Sequence, residues 1–158
     1  MRQRKVTMCL GGSPVTWYNV LRNYPSDPNL GGSGQCFVLS QTEPYKNRMT
    51  TFTATYLQNN ESQTLDLPTQ VISTPGYKVG NAMQVIPSCP GEPQTYPAIY
   101  VDCDKCLILR TPANNGTGCL YLTPDPENLD FCCQYIFDLT CGPARHTFYD
   151  PDTCPDLC

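Results

Sequence analysis

The chain has 158 residues, of which 40% are hydrophobic, and a formal net charge of −4. Its length suits one domain with one core, and its 16 prolines and 11 glycines favour short elements punctuated by turns, which is more typical of strands than of helices. The ten Lys and Arg residues form no basic stripe for phosphate backbones, and no run of about 18 apolar residues occurs, so we expect neither nucleic acid nor a membrane as a partner.

Seven short segments rich in β-branched and aromatic residues alternate with turn clusters, a pattern that predicts a meander of antiparallel strands. The predicted strands are Gln35–Gln41, Arg48–Leu57, Gln63–Leu67, Val79–Ile86, Ala98–Val101, Lys105–Arg110 and Cys119–Leu122. In the second strand, Phe52, Ala54 and Tyr56 share one face and three threonines share the other. Six prolines fall near the proposed strand ends, where a missing N–H breaks no ladder. They are Pro68, Pro75, Pro87, Pro97, Pro112 and Pro124.

One helix is predicted after the strands, at Pro126–Cys141. Asp125 can cap it, Pro126 suits its first turn, and Gly142 follows its end. The residues expected on its apolar, sheet-facing side are Leu129, Cys132, Cys133, Ile136, Leu139 and Thr140. Seven or eight strands followed by a helix predict an all-β fold, an antiparallel up-and-down barrel with the helix packed outside, because closing the sheet removes its exposed edges.

The eleven cysteines indicate a disulfide framework, since Cys103 to Cys106 forms one CxxC pair with no second pair to complete a zinc site. We expect at least four disulfides formed in an oxidising compartment, and the odd count leaves one thiol unpaired or linked between chains, with Cys158 expected to be that cysteine. Two sequons, at Asn60 and Asn115, agree with secretion and glycosylation. Residues 1–20 lack the apolar core of a signal peptide, so we interpret the chain as a mature sequence whose signal has been removed.

No catalytic constellation is recognisable. His146 is the only histidine, and no Gly-x-Ser-x-Gly, phosphate loop or His-Glu-x-x-His motif occurs. Asp102 and Asp104 are close in sequence, but turn chemistry alone favours Asp there. We therefore expect a protein that is not an enzyme and uses no cofactor and no metal, and we keep a secreted enzyme on an unrelated β fold as the least favoured alternative.

Two stretches of the sequence resemble lipocalins. Val15-Thr16-Trp17-Tyr18 resembles the Gly-x-Trp motif that opens the first lipocalin strand, with Val15 in place of the glycine. Tyr100-Val101-Asp102-Cys103, followed by Cys106-Leu107-Ile108-Leu109-Arg110, resembles the Thr-Asp-Tyr turn and the strand after it.

A third stretch resembles the salivary lipocalins of ticks, the histamine-binding family, in order and spacing. It comprises Cys119-Leu120-Tyr121-Leu122, the Cys132-Cys133 pair, Cys141-Gly142 and Tyr149-Asp150-Pro151-Asp152-Thr153-Cys154. The three matches span nearly the whole chain, so the resemblance implies that residues 1–158 form a single lipocalin domain. It further implies a secreted, ligand-binding barrel from tick saliva that sequesters inflammatory mediators and helps to evade host defence.

The resemblance also implies disulfides. Cys36 would pair with Cys154, Cys9 with one of Cys132 and Cys133, and Cys106 with the other. Cys119 with Cys141 and Cys89 with Cys103 are additional guesses, because a sequence cannot choose among connectivities.

The expected ligand follows from a departure from the family. Tick lipocalins that hold histamine or serotonin place an Asp after the strand cysteine and a Glu on the next strand, whereas this chain has Leu107 after Cys106 and Cys119-Leu120-Tyr121 in the second place. An unpaired buried ammonium costs several kcal/mol, so we expect a hydrophobic eicosanoid, such as a leukotriene or thromboxane, ahead of a biogenic amine. Asp66, Asp102 or Asp104 would have to face the cavity for an amine to bind.

The residues expected to line this barrel are Phe52, Tyr56, Leu107, Leu109 and Tyr121. Arg48 or Arg110 would meet a ligand carboxylate at the mouth, unless both arginines are solvated or paired with Asp and Glu. The expected partner is thus a small hydrophobic or amine mediator bound by a monomer. A further alternative is a lipocalin that binds complement or immune proteins through its surface loops.

Overall fold

A computed structural model of the chain describes residues 6–11, 14–86 and 92–154. The strands are β1 (Thr16–Arg22), β2 (Gln35–Gln41), β3 (Met49–Gln58), β4 (Glu61–Ile72), β5 (Ala82–Val85), β6 (Gln94–Asp102), β7 (Cys106–Thr111), β8 (Gly118–Thr123) and β9 (His146–Thr147). The helical segments are α1 (Thr7–Leu10), α2 (Ala113–Gly116) and α3 (Phe131–Cys141).

The sheet closes on itself. Each strand from β2 to β8 pairs antiparallel with the next, and β1 joins the two ends by pairing with both β8 and β2. Trp17 of β1 is opposite Leu39 of β2, and Asn19 is opposite Leu122 of β8. The eight-stranded antiparallel barrel with an outer helix is therefore confirmed. The short strand β9 pairs with the last two residues of β1, Leu21 and Arg22.

All seven predicted strands are present, and all except β2 have bounds that differ from the predicted ones. β2 has the predicted limits, β4 and β6 are longer than predicted, and β5 is shorter. Pro68 and Pro97 lie inside strands rather than at their ends, but each is at the end of a ladder: the β4–β5 pairing begins at Thr69, and Pro97 is opposite the first residue of β5. Their missing N–H groups consequently leave the ladders intact.

The helix begins five residues later than predicted, at Phe131. Its cap is Asp130, which has an extended backbone and accepts a hydrogen bond from the Cys133 amide at 3.0 Å, whereas Asp125 belongs to the preceding turn. The predicted apolar side is correct for Leu129, Cys133 and Ile136, which pack in or against the cluster under the helix, and wrong for the other three residues. Cys133 and Phe137 are the buried residues of α3, while Cys132 and Leu139 are exposed.

Two apolar clusters stabilise the fold, one inside the barrel and one between the sheet and α3. The inner cluster includes Trp17, Phe37 and Phe52. The outer cluster includes Tyr121, whose ring contacts the Phe137 ring edge-on at a centroid distance of 5.9 Å. Because α3 covers β7 and β8 from outside, both faces of these strands are buried.

Four disulfides are present among the described residues: Cys9–Cys103, Cys36–Cys154, Cys106–Cys133 and Cys119–Cys141. The last three agree with the expected pairings. The expectation for Cys9 is wrong, because α1 lies beside the β6–β7 turn and Cys9 meets Cys103 there. The Cys89–Cys103 guess is wrong for the same reason, and Cys89 itself lies outside the described residues, as does Cys158.

Cys132, expected in a disulfide, is a free and exposed thiol. One step along a helix rotates the side chain by about 100°, so its neighbour Cys133 reaches the sheet while Cys132 does not. Among the described residues, no helix is long and apolar enough to cross a membrane.

Candidate functional site

The barrel interior contains an apolar cavity. Strand alternation turns Phe52 of β3 and Leu107 and Leu109 of β7 inward, and these three residues remain proposed ligand contacts. The full lining is Leu10, Trp17, Leu30, Phe37, Leu39, Phe52, Leu67, Thr69, Met83, Val85, Tyr96, Leu107, Leu109, Leu120 and Leu122. Within the described part of the chain, no charged residue belongs to this lining.

The cavity is small, about 40 Å³, which is room for about three water molecules. Few polar groups adjoin it. Thr69 donates to the Leu67 carbonyl at 2.9 Å, and burial, followed by the charge of Asp27, raises the pKa of the Tyr96 phenol, which therefore stays neutral. The buried indole Nε1 of Trp17 makes no hydrogen bond within the described part of the chain. A ligand with an acceptor group could satisfy this donor.

Leu30, in the loop between β1 and β2, closes the cavity toward the mouth of the barrel. Its side chain is buried and lines the cavity, while its neighbours Asn29, Gly31 and Gly32 line a second, open space outside. Gly31 has a φ of +79°, and a Cβ there would lie 2.9 Å from Cζ of Tyr56. The loop is therefore seated directly on the Tyr56 ring, which only glycine permits.

A buried arginine at the end of β1 is hydrogen-bonded to this loop. Arg22, at the end of β1, is fully buried, and its Nη2 donates to the Leu30 carbonyl at 3.3 Å, while its Nε donates to Oδ1 of Asn19 at 2.7 Å. The guanidinium lies between the rings of Phe37 and Phe148, at 4.8 and 3.9 Å from their centroids. Burial lowers the pKa of Arg22.

Asp27, in the first half of the β1–β2 loop, accepts several hydrogen bonds that fix the conformation of the loop. Its carboxylate is buried and accepts hydrogen bonds from the Tyr24 hydroxyl at 2.6 Å and from the Asn29 amide at 2.9 Å. The backbone amides of Leu30 and Gly32 donate to its carbonyl. Burial, with the hydrogen bond to Asp27, raises the pKa of Tyr24. Sequence reasoning missed Arg22, Asp27 and Leu30, although the Asp27-Pro28-Asn29 run signals a turn.

The open space outside Leu30, which we call the vestibule, has a volume of about 470 Å³. Leu67, Val85 and Tyr96 line both the vestibule and the cavity, so the two are neighbours. The other vestibule residues are Pro28, Asn29, Gly31, Gly32, Tyr56, Gln58, Leu65, Asp66, Ile86, Glu92 and Gln94. The charged members of this described lining are both acidic. Glu92 is exposed, and so is Asp66, whose carboxylate is on the outer side of the rim, where it accepts a hydrogen bond from the Thr53 hydroxyl at 3.0 Å.

Four of the seven predicted lining residues lie at these spaces. Phe52, Leu107 and Leu109 line the cavity, and Tyr56 lines the vestibule. Tyr121 was wrongly placed inside, because its ring points out of the barrel into the cluster under α3.

Neither arginine expected at the mouth lines the cavity or the vestibule. Arg48 is exposed in the turn before β3, at the opposite end of the barrel. Arg110 points outward and donates to the carbonyls of Thr117 and Thr140 at 3.1 and 3.4 Å. Asp102 and Asp104 are in the β6–β7 turn, away from both spaces.

A closed eight-stranded barrel with an interior cavity and an outer helix defines the lipocalin class. The family described as tick histamine binding protein matches residues 2–156, and the chain belongs to that family. No curated protein shows significant sequence similarity to it.

Solved lipocalin structures share the fold. A crystal structure of AM182 in complex with serotonin has a TM-score of 0.72 and 17% identity, covering 98% of this chain and 95% of that one. Insecticyanin from the tobacco hornworm Manduca sexta has a TM-score of 0.62 and 9% identity, covering 87% and 72%. The cockroach allergen Per a 4 has a TM-score of 0.59 and 13% identity, covering 94% and 92%.

Proposed function

We propose that this protein is a secreted lipocalin that binds a small aromatic amine, with the aromatic part in the barrel cavity and the ammonium in the vestibule. The observation that carries the ligand class is the charge of the vestibule: its described lining contains Asp66 and Glu92 and neither Lys nor Arg. Such a mouth attracts a cation and repels a carboxylate. This reverses the preference for an eicosanoid that the sequence suggested.

The cavity supports the aromatic half of the ligand. Aromatic and aliphatic side chains such as Phe52, Leu107 and Leu109 form its wall, and burying apolar surface against them stabilises a complex by about 25 cal/mol per Å². The ammonium remains in the vestibule, because no carboxylate lines the cavity and an unpaired buried charge is costly. A hydroxyl or ring nitrogen on the ligand can accept from Trp17 Nε1.

Binding requires Leu30 to move. A cavity of about 40 Å³ is far below the roughly 300 Å³ or more that small-molecule sites occupy, whereas the vestibule already offers about 470 Å³. Displacing one leucine side chain joins the two spaces. The serotonin complex of AM182, which shares the fold, supports an amine as a ligand for this architecture.

Calorimetric titration of the purified protein with serotonin, histamine, leukotriene B4 and a stable thromboxane mimic tests the ligand class. We expect binding of at least one amine, with affinity that falls as ionic strength rises. Binding of the lipids with no response to either amine would overturn the amine assignment.

A second candidate is the eicosanoid class, and one observation favours it: the cavity lining is apolar apart from Thr69 and the polar tips of Trp17 and Tyr96. A fatty acid chain would suit this wall, but its carboxylate would meet the acidic vestibule. The same titration decides between the two classes.

The four disulfides support secretion as part of this proposal, because disulfides form in oxidising compartments. We propose that the whole chain acts as one lipocalin domain whose activity is binding rather than catalysis, in keeping with its membership of a family of binding proteins.

A further inference from the structure

Helix α3 presents an apolar stripe on the side that faces away from the barrel. Phe131, Tyr135 and Leu139 are 79%, 59% and 69% exposed, and their spacing of four residues places them one above another. Of the four large hydrophobic side chains exposed in the described part of the chain, three belong to this stripe. Scattered exposed hydrophobics are ordinary, but a contiguous group indicates a contact surface.

The free thiol of Cys132 lies on the same outward side. At about 100° per residue, Cys132 is about 20° from Leu139 around the helix axis, whereas Cys133 points to the barrel and is bonded to Cys106. An exposed thiol in a disulfide-forming compartment becomes oxidised unless it is protected. The apolar stripe is therefore bordered by a group that can form one more covalent bond.

The stripe carries no free charge. Asp138 is the charged residue of α3, and its carboxylate is paired with Arg145 at 2.7 Å. A second copy of a chain with a net charge of −4 is repelled elsewhere on the surface but not at this face. The absence of Lys and Arg from α3 disfavours an anionic lipid surface as the occupant.

Cys89 and Cys158, which lie outside the described residues, are joined to the described part of the chain by only a few residues. Cys158 follows Cys154 by four residues, which span at most about 14 Å. Cys154 is bonded to β2, and three interstrand spacings, also about 14 Å, separate β2 from the β7 strand to which α3 is bonded. A disulfide adds about 6 Å between Cα atoms, so Cys158 would reach Cys132 only through a nearly fully extended chain.

Cys89 is five residues before Gln94, the first residue of β6, whereas Cys133 is bonded beside the other end of β6, where Asp102 pairs with Cys106. The nine residues of β6 extend about 26 Å, and the five residues from Cys89 to Gln94 span at most about 18 Å. The short stretches of chain available therefore disfavour a bond from Cys132 to either cysteine within one chain.

We propose that the stripe is a two-fold contact between two copies of this chain, closed by a Cys132–Cys132 disulfide. An 11-residue helix is about 16 Å long, and its outer face alone falls short of the roughly 1,200 Å² that stable interfaces bury. The stripe aligns the two helices, and the covalent bond holds them. Around the two-fold axis each stripe packs on its own copy, so one sequence supplies both sides.

The bond forms by thiol–disulfide exchange with a small disulfide such as oxidised glutathione. The thiolate of one Cys132 attacks the glutathione disulfide and releases one glutathione thiol, and the second Cys132 thiolate then displaces the other glutathione. Two protein thiols and one glutathione disulfide give one protein disulfide and two glutathione thiols.

The test is incubation of the folded protein with oxidised glutathione, followed by non-reducing electrophoresis, light scattering and peptide mass spectrometry. We expect a species of twice the 17.6 kDa chain mass, apart from glycans, that contains a Cys132–Cys132 peptide and becomes monomeric at micromolar concentration on mild reduction. Cys132→Ser should remain monomeric.

Two variants separate a specific contact from random oxidation. Tyr135→Asn with Leu139→Asn keeps the thiol and removes most of the stripe, and dimers should form at least tenfold more slowly. Glu43→Cys in the Cys132→Ser background exposes a thiol away from the stripe, in the β2–β3 loop, and should be equally slow. A wild type that stays monomeric with Cys132 capped by glutathione, a bond from Cys132 to Cys89 or Cys158, or stripe variants that dimerise as fast as the wild type would each overturn the proposal.

Discussion

The guanidinium of Arg22 lies 3.9 Å from the centroid of the Phe148 ring, inside the barrel wall and with no water-exposed surface. This contact ties the segment after α3 to β1, and the same guanidinium holds the Leu30 carbonyl. The Arg22 side chain thus connects the segment after α3 with the β1–β2 loop that carries Leu30.

Arg22→Lys should lower the free energy of unfolding by about 2–4 kcal/mol. Lysine keeps a buried charge but cannot stack between two rings while donating to Asn19 and Leu30, so buried acceptors lose their donors. Urea denaturation with intact disulfides measures the change. Arg145→Lys, at an exposed ion pair, is the control and should cost less than about 1 kcal/mol. Equal effects at the two positions would contradict the structural role given to Arg22.

Leu30→Ala should accelerate ligand association. The leucine side chain separates cavity from vestibule, and removing most of it leaves a passage without changing the vestibule charges. Stopped-flow association of serotonin should be at least several-fold faster, with dissociation faster as well. Leu139→Ala is the control, because that leucine is exposed on α3. Unchanged association in Leu30→Ala would show that the ligand reaches the barrel by another route.

Much of the barrel could be predicted from sequence, because β-branched residues, alternation and turn residues mark the strands from β2 to β8. The face of β8 to which the Tyr121 side chain belongs could not be predicted. All six residues of β8 are buried, since α3 covers its outer face, and a strand buried on both sides has no alternation to show which residues face inward.

The start of α3 and the mouth were harder to predict for other reasons. Asp125 and Asp130 are equally suitable caps by residue type, and only the extended backbone of Asp130 decides between them. Arg22 and Leu30 are placed by contacts with the distant Phe37 and Phe148, which no local pattern reveals.

Both sequons should carry glycans when the protein is secreted by a eukaryotic cell. Asn60 and Asn115 are exposed, at the β3–β4 turn and in α2, so a glycan can project from each without displacing the core. Intact-mass measurement before and after enzymatic deglycosylation should show two occupied sites, one lost in Asn60→Gln and the other in Asn115→Gln. A fully secreted protein of unmodified mass would contradict this expectation.

The Asp138–Arg145 pair should add a small, pH-dependent stability. The hydrogen bond from Arg145 lowers the pKa of Asp138, so its contribution is present above the ordinary Asp pKa near 4 and is lost as pH falls through the lower folded value. Both groups are largely exposed, which limits the effect to about 0.2–1 kcal/mol. Asp138→Asn should thus be slightly less stable than the wild type at pH 7 and equal to it near pH 2. A difference that grows on acidification would contradict the assignment.

The central claim is that an acidic vestibule beside an apolar cavity selects an aromatic amine, and paired calorimetric affinities test it most directly. Serotonin and its neutral analogue 5-hydroxytryptophol are titrated into the wild type, the Asp66→Asn/Glu92→Gln double variant and Glu43→Gln, a control at the other end of the barrel. Serotonin should bind the wild type and Glu43→Gln equally and the double variant about three- to tenfold more weakly, as expected for partly exposed ion pairs, while the neutral analogue binds all three alike. Equal serotonin affinity for the wild type and the double variant, or an analogue that binds the wild type as tightly as serotonin does, would contradict the claim.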